Sequence, residues 1–147
     1  MGVAVDLLDG IVAKLNETTF GTAVVSRSFL PEVERRGLTP RIIVTLAGKE
    51  SFELDRGSEA ITYKVDIGLT YPTTSEAEID DCFDMIESIQ DWLCRRDNKN
   101  FSTATNTFKL NLPVVMTAPF DRAMQQEASV FFTTLSLNYI YYKNRTP

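Results

Sequence analysis

The end of this chain carries the feature that most constrains its fold, a β-strand pattern of unusual length. From Glu127 to Tyr142 the sequence reads EASVFFTTLSLNYIYY, a run rich in aromatic and β-branched residues. These residue types favour strands, and most strands span roughly 3 to 10 residues. The run therefore predicts a strand that bends at a bulge or projects past its own sheet, and a projecting strand needs a partner.

Further strand patterns lie in the middle of the chain. Apolar residues alternate with other types over residues 42–46, Gly48–Lys49 predicts a turn, and residues 52–55 predict the returning strand. A second turn is expected at Gly57–Ser58. From residue 61 to residue 71 every odd position is apolar or aromatic, and the even positions are mostly polar. This period of two predicts a sheet with one face in water.

Weaker signals place the remaining strands and connections. Residues 23–29 predict a short strand, and residues 108–116 predict another in which Pro113, lacking an N–H, favours an edge position. The charged and proline-containing stretch 30–40 predicts an exposed connection. The polar stretch 97–107 predicts a mobile loop. Both connections are long enough to reach a neighbouring subunit.

Two segments have the apolar spacing of helices. Residues 5–15 place apolar side chains on one helix face, and Gly10 within them allows either a close approach to the sheet or only a marginal helix. Ser75 and Glu78 form a capping-box arrangement that predicts where the second helix begins. Its apolar stripe consists of Ile79, Cys82, Phe83, Ile86, Ile89 and Leu93.

These elements predict an α+β fold with a mixed, mostly antiparallel β-sheet and two main helices packed on it. The chain has 147 residues, 44% of them hydrophobic, which fits a single domain covering residues 1–147. Val65 and Ile67 of the central strand are expected to contact Phe83 and Ile89 of the second helix in its core.

The composition indicates which partners the protein binds and in which cellular compartment it is made. The formal net charge of −5 disfavours tight non-specific binding to nucleic acid, which needs clustered cations. Cys82 and Cys94 are twelve positions apart on one predicted helix, about 18 Å along its axis, so they are expected to be free thiols. With no apolar stretch of about 18 residues and no signal peptide, we expect a protein made in a reducing cytoplasm and not inserted in a membrane.

Few residues in the sequence suggest catalysis or metal binding. The chain has no histidine, no glycine-rich phosphate loop and no cysteine or aspartate cluster with ligand spacing, so we expect no enzyme, no metal and no cofactor. One alternative is a divalent-ion site formed by carboxylates at the start of the second helix, namely Glu76, Glu78, Asp80, Asp81 and Asp84. Acidic residues there also stabilise the helix directly. A second alternative is acid–base catalysis by Asp55, Glu59 and Asp66, whose spacing defines no pair.

The aromatic residues of the final run have two interpretations. They could stack on single-stranded nucleic acid, but only Lys143 and Arg145 supply nearby cations. Core packing and subunit contacts suit them better. The candidate subunit interface predicted from the sequence therefore combines the end of the chain with the charged connection: Leu30, Arg35, Arg36, Pro40, Phe131, Tyr139, Tyr141 and Tyr142.

The order of these parts resembles a known family. An N-terminal helix, RIIVTLAGKESFELDR, AITYKVDIGLTYP, the helix SEAEIDDCFDMIESIQDWL and a final ASVFFTTLSLNY are similar to the tail terminator and neck proteins of long-tailed bacteriophages. The resemblance covers nearly the whole chain and includes no catalytic motif. It implies a structural virion protein, made in the bacterial cytoplasm, that forms a ring at the head-proximal end of the tail.

The position at the head-proximal end of the tail also implies which partners the protein has. The ring, commonly a hexamer, ends growth of the tail tube and joins the tail to the head connector or stopper proteins, and DNA only passes through its channel. Two alternatives stay open: another tail component such as a tube protein, which stacks into many rings, and a small carboxylate- or metal-dependent enzyme.

Overall fold

Three strands of 15 residues form the centre of the sheet in the computed structural model of the chain. The structure describes residues 2–20, 23–27, 40–55, 57–72, 75–117 and 130–144. In chain order the elements are α1 (Val3–Leu15), β1 (Val24–Arg27), β2 (Arg41–Asp55), β3 (Ser58–Pro72), α2 (Glu76–Cys94), β4 (Asn100–Ser102), β5 (Thr107–Thr117) and β6 (Val130–Asn144). The described strands form a six-stranded sheet in the order β1-β2-β3-β6-β5-β4.

The sheet is mixed and mostly antiparallel, and with its two helices it confirms the predicted α+β class. β1 pairs with β2 in parallel, and all other neighbouring pairs are antiparallel. Both helices contribute to a hydrophobic core shared with the sheet. The odd-numbered residues of β3, from Ile61 to Leu69, are buried in this core, as their alternation predicts.

A β-bulge replaces the turn predicted at Gly48–Lys49. β2 runs unbroken through these residues, and its register against β3 shifts between the Leu46–Val65 pair and the Gly48–Lys64 pair. One extra residue, Ala47, is accommodated there. A glycine within a strand pattern is typical of a bulge as well as of a turn, because both interrupt a regular strand. The turn predicted at Gly57 is confirmed, since Asp55 pairs with Ser58 across it.

The long final strand is confirmed over the described residues Val130–Asn144. There β6 pairs with β3 over its full length, from Val130 opposite Pro72 to Asn144 opposite Ser58. The described part of β6 therefore does not project past β3, which is equally long, and residues 127–129 of the predicted run lie outside the described residues. The register of β5 against β6 is irregular between Asn111 and Val115, which brackets Pro113. A proline is expected at such a point because it donates no N–H to the ladder.

The stretch predicted as a mobile loop, residues 97–107, contains the strand β4. Phe101 of β4 pairs with Phe108 of β5, and its ring lies 5.5 Å from that of Phe108 and 5.7 Å from that of Tyr139. The polar composition of the stretch gave no strand pattern, because a three-residue strand needs only one apolar side chain to pack on the core. The segment therefore packs on its own chain.

The second helix begins where its capping signal indicates, and a contact explains the glycine within the first. Ser75 is the N-cap of α2, and its hydroxyl accepts a hydrogen bond from the backbone N–H of Glu78 at 3.3 Å. In α1, a Cβ atom added to Gly10 would lie 2.5 Å from Cε2 of Phe101. Close approach is therefore the reason for glycine at this position.

The predicted contact between helix and central strand needs one correction. Val65, Ile67 and Ile89 are fully buried, but Phe83 is only half-buried. Its ring packs edge-on against Phe131 of β6, with 5.1 Å between ring centroids. Phe83 therefore lies at the margin of the core.

Candidate assembly surfaces

The charged connection named as a candidate interface lies mostly outside the described residues. Leu30, Arg35 and Arg36 all fall in the undescribed stretch 28–39. Pro40 is described and buried, and its carbonyl oxygen accepts a hydrogen bond from the N–H of Val24 at 3.0 Å. Pro40 thus joins β1 to the start of β2 within the chain and offers little surface to a neighbour.

Two of the aromatic candidates in β6 belong to the core. Phe131 and Tyr139 are 0% exposed, and both lie on the odd-numbered face of β6 that the helices cover. They pack on Phe83 and Phe101, respectively. Of the two readings that the sequence allowed for these aromatics, core packing holds for this pair, and neither side chain is available to a partner of the folded subunit.

The other two aromatics lie at a surface groove. Tyr142 is 55% exposed, and Tyr141 is half-buried against Phe108, with their rings 5.8 Å apart. Together with Lys109 and Ile140 they line a hollow of about 450 Å³ at the end of β6. We call this hollow the tyrosine groove. It presents an exposed tyrosine ring, and tyrosine is enriched at protein interfaces.

A second exposed apolar residue lies toward the other edge of the sheet. Val24 of β1 is 54% exposed, and among the described residues Val24 and Tyr142 are the large hydrophobic side chains most open to solvent. Their even-numbered positions place both on the face opposite the helices. Sequence reasoning missed Val24 because a four-residue strand does not reveal which of its faces is covered.

The outermost strands cover little of the strands beside them. Among the described residues, β1 pairs only with residues 41–44 of β2, and β4 pairs only with residues 107–109 of β5. Beyond these pairs, β2 has a bulge at Ala47 and β5 an irregular stretch around Pro113, both recorded in the register against the inner neighbour. Bulges and prolines discourage uncontrolled edge-to-edge pairing, so we expect these edges to accept only a partner with a matching shape.

The described carboxylates that the sequence suggested for chemistry form no metal-binding group. Within the described part of the chain, no three Cys, Asp or Glu side chains come close enough together to hold a metal ion. Asp66 accepts a hydrogen bond from the hydroxyl of Ser136 at 2.9 Å across the β3–β6 pair. Its partner is a strand neighbour and not a second acid. Glu59 is half-buried on β3, and the side chain of Asp55 is outside the described set.

The two cysteines are unsuited to nucleophilic chemistry. Both are free thiols, as predicted, and Cys82 is buried while Cys94 is half-buried. Burial raises the pKa of Cys82 to about 12, with a further contribution from Asp81 and Glu78. Burial also raises the pKa of Cys94. Because the thiolate is the reactive form, both side chains are poor nucleophiles near neutral pH.

The most elaborate polar cluster in the described residues ties α1 to the β4–β5 turn. Oδ2 of Asp6 accepts hydrogen bonds from the hydroxyl of Thr103, from the hydroxyl of Thr105 at 3.3 Å and from the side-chain amide of Asn106 at 2.7 Å. The Thr103 bond, followed by the Asn106 bond, lowers the pKa of Asp6. A lowered pKa suits a structural carboxylate that stays ionised and accepts hydrogen bonds from its neighbours.

Comparison with known proteins gives a likeness of fold. The chain is similar to a protein in the virion of a native gene transfer agent particle, with a TM-score of 0.61 and 12% sequence identity over 97% of this chain and 98% of that one. No family model and no curated protein matches the sequence. The likeness therefore concerns the arrangement of helices and strands across both whole chains. In the described residues neither helix is long and apolar enough to cross a membrane.

Proposed function

We propose that this protein is a structural component of a phage-like virion, specifically a tail terminator. In this role copies of the chain form a ring, a hexamer by family resemblance, at the head-proximal end of the tail. The ring ends growth of the tail tube, contacts the head connector or stopper proteins, and lets DNA pass through its channel. Catalysis and bound cofactors have no part in this function.

The observation that carries the proposal is the fold likeness to a virion protein over nearly the full length of both chains. At 12% identity it supports a shared architecture, and the terminator assignment adds the sequence resemblance described above. Within the described residues, the buried Cys82 thiol with its raised pKa and the carboxylates, which form no metal-binding group, are compatible with a structural role.

The positions of Val24 and Tyr142 support a head-to-tail arrangement. A closed ring joins two different surfaces of each subunit, whereas a two-fold dimer joins one surface to itself. Val24 lies on the edge strand β1, and Tyr142 lies on the other side of β3, beside β5. In the proposed ring, the β1 side of one subunit contacts the tyrosine groove of the next.

Locating the protein in purified particles tests the terminator role. Electron microscopy with a label fused to the chain should show one position per particle, where the tail meets the head. Label repeated along the tail would identify a tube protein. Label absent from the particles would contradict the proposal altogether.

A complementation experiment tests the head-to-tail contact. Val24→Ser and Tyr142→Ser each remove one exposed apolar side chain, and Lys64→Gln is a control on the same sheet face. Each of the two serine variants should fail to close rings. Mixed together they should form pairs through the two intact surfaces, but no rings. Ring formation by Val24→Ser alone would show that β1 is outside the interface.

A further inference from the structure

The bulge at Ala47 gives β2 an unusual second half. Before the bulge, Ile42, Val44 and Leu46 share the core face with the odd-numbered residues of β3. After it the register brings Lys49 opposite Tyr63 and Ser51 opposite Ile61, so polar residues occupy the core face. Bulges commonly re-aim side chains in this way next to functional sites. Here the side chain that is re-aimed is a lysine.

Lys49 faces a cavity beneath the beginning of α1. The cavity has a volume of about 330 Å³ and is lined by Val3, Ala4, Lys49, Ile61, Tyr63 and Tyr141, with Gly2 at its rim. Its size is at the lower end of the range for small-molecule sites. The aliphatic side chains and the tyrosine rings form apolar walls, so a ligand needs a short apolar portion beside its polar group.

The polar groups at this cavity are hydrogen-bond donors. Gly2, the N-cap of α1, supplies no side-chain cap, so the first-turn N–H groups of α1 lack the acceptor that a capping residue would provide. The ammonium group of Lys49 lies 5.7 Å from the centre of the Tyr63 ring, and no described carboxylate pairs with it. A helix N-terminus beside a lysine attracts an anion.

Tyr63 provides an independent indication of a ligand. Its side chain is only 2% exposed and lines the cavity, and none of the described residues forms a hydrogen bond with its hydroxyl. Unlike the fully buried, unpaired hydroxyl oxygen of Tyr139, the hydroxyl oxygen of Tyr63 keeps solvent access, and at the cavity it is free to donate a hydrogen bond to a ligand. Burial, Tyr141 and Glu59 all raise the pKa of Tyr63, so the hydroxyl remains a donor.

We propose that this cavity binds a singly charged carboxylate carried on a short apolar chain. The carboxylate accepts hydrogen bonds from the first-turn N–H groups of α1, the Lys49 ammonium and the Tyr63 hydroxyl, and the apolar chain lies against Val3 and Ile61. One lysine balances one negative charge. The nearby charge of Glu59 disfavours a doubly charged phosphate. This site is independent of the proposed tail function.

Titration of the ¹⁵N-labelled protein with butyrate, followed by NMR, tests the site. Butyrate should produce saturable shifts of the Val3, Ala4 and Val5 amides, and the neutral analogue butyramide should not. Lys49→Gln should weaken butyrate binding about tenfold, as expected for a lost charge-assisted hydrogen bond. Lys64→Gln, a lysine on the opposite sheet face, should leave it unchanged. Tyr63→Phe should weaken binding without lowering the melting temperature.

The same samples distinguish where the natural carboxylate comes from. If butyrate or Lys49→Gln dissociates self-associated protein in sedimentation, the carboxylate belongs to a second copy of the chain. If the association state is unchanged, it belongs to a free small acid. Absence of saturable shifts, equal binding by wild type and Lys49→Gln, or tighter binding of inorganic phosphate than of butyrate would each overturn the proposal.

Discussion

The indole N–H of Trp92 in α2 donates a hydrogen bond to the main-chain carbonyl of Lys14 in α1, with 2.9 Å between the heavy atoms. This carbonyl belongs to the last turn of α1, where four carbonyl groups lack intrahelical partners. The bond therefore completes the end of one helix with a side chain of the other. It links residues 78 positions apart and fixes how the helices lie together on the sheet.

Trp92→Phe should lower the free energy of unfolding by about 1 kcal/mol, because an aromatic ring is kept while the hydrogen bond is lost. Urea unfolding followed by circular dichroism measures this, since the variant removes the chain's only tryptophan. Tyr142→Phe is the matched control. It removes a polar group from an exposed ring and should change stability by about 0.5 kcal/mol or less. Equal stability of both variants would show that the Trp92 bond contributes nothing.

Asp6→Asn should destabilise the protein at neutral pH, because Thr103 and Asn106 lose their carboxylate acceptor. The pKa of Asp6 in the folded protein lies below its ordinary value of 3.8, so its contribution to stability is present above that pH. The contribution disappears as the pH falls through the folded pKa. The difference in melting temperature between wild type and variant should therefore shrink below about pH 4.

The control for this pH dependence is Asp84→Asn. Asp84 is an exposed carboxylate on α2, and no described side chain donates a hydrogen bond to it. Its variant removes a carboxylate without removing an acceptor that described side chains use. A constant Asp6→Asn effect from neutral pH to pH 3 would mean that the network depends on shape and not on charge.

Gly10→Ala should destabilise α1 even though alanine is the better helix former by about 1 kcal/mol. The added Cβ would lie 2.5 Å from Cε2 of Phe101 and 3.2 Å from Cγ2 of Thr103, so β4 must move. We expect a net loss of about 1 to 3 kcal/mol, as for other overpacked cores. Gly48→Ala is the control, because its Cβ would meet only Lys64 at an ordinary 3.6 Å. A stabilised Gly10→Ala variant would contradict the close approach.

Phe83→Ala should cost less than the ~3 to 5 kcal/mol typical of a fully buried aromatic residue, because Phe83 is half-buried. Phe131→Ala, at a fully buried position, should fall within that range. The double variant should show a coupling of about 0.5 to 1.5 kcal/mol from the edge-on ring pair. Calorimetric or urea unfolding of the four proteins measures it. Strict additivity would mean that the two rings do not interact favourably.

Local sequence patterns were sufficient to predict the elements whose signals lie within a few residues of one another. The alternation from Ile61 to Leu69 predicted both a strand and its buried face, since every second side chain of a regular strand points the same way. The capping box at Ser75 predicted the start of α2, because its hydrogen bonds involve only residues three positions apart. These features depend on near neighbours, which a sequence displays directly.

The pairing of the strands and the exposure of individual side chains were determined by the tertiary structure. The sequence around Gly48 is compatible with a turn or a bulge, and only pairing with β3 selects the bulge that places Lys49 on the same sheet face as Tyr63. Tyr139 and Tyr142 look alike in sequence, yet one is buried and the other is exposed, because their faces are covered differently. The contact between Trp92 and Lys14 likewise appears only when two distant helices meet.

The chain alone therefore determined its α+β class, its helices and its long β6 pattern, because propensity and periodicity act over a few residues. Tertiary structure decided which aromatic residues reach the surface, where the tyrosine groove lies, and that a lysine, a helix end and Tyr63 surround one cavity. The physical reason is that a candidate site requires groups far apart in sequence to meet. Their meeting depends on strand register and helix packing, which are properties of the whole sheet.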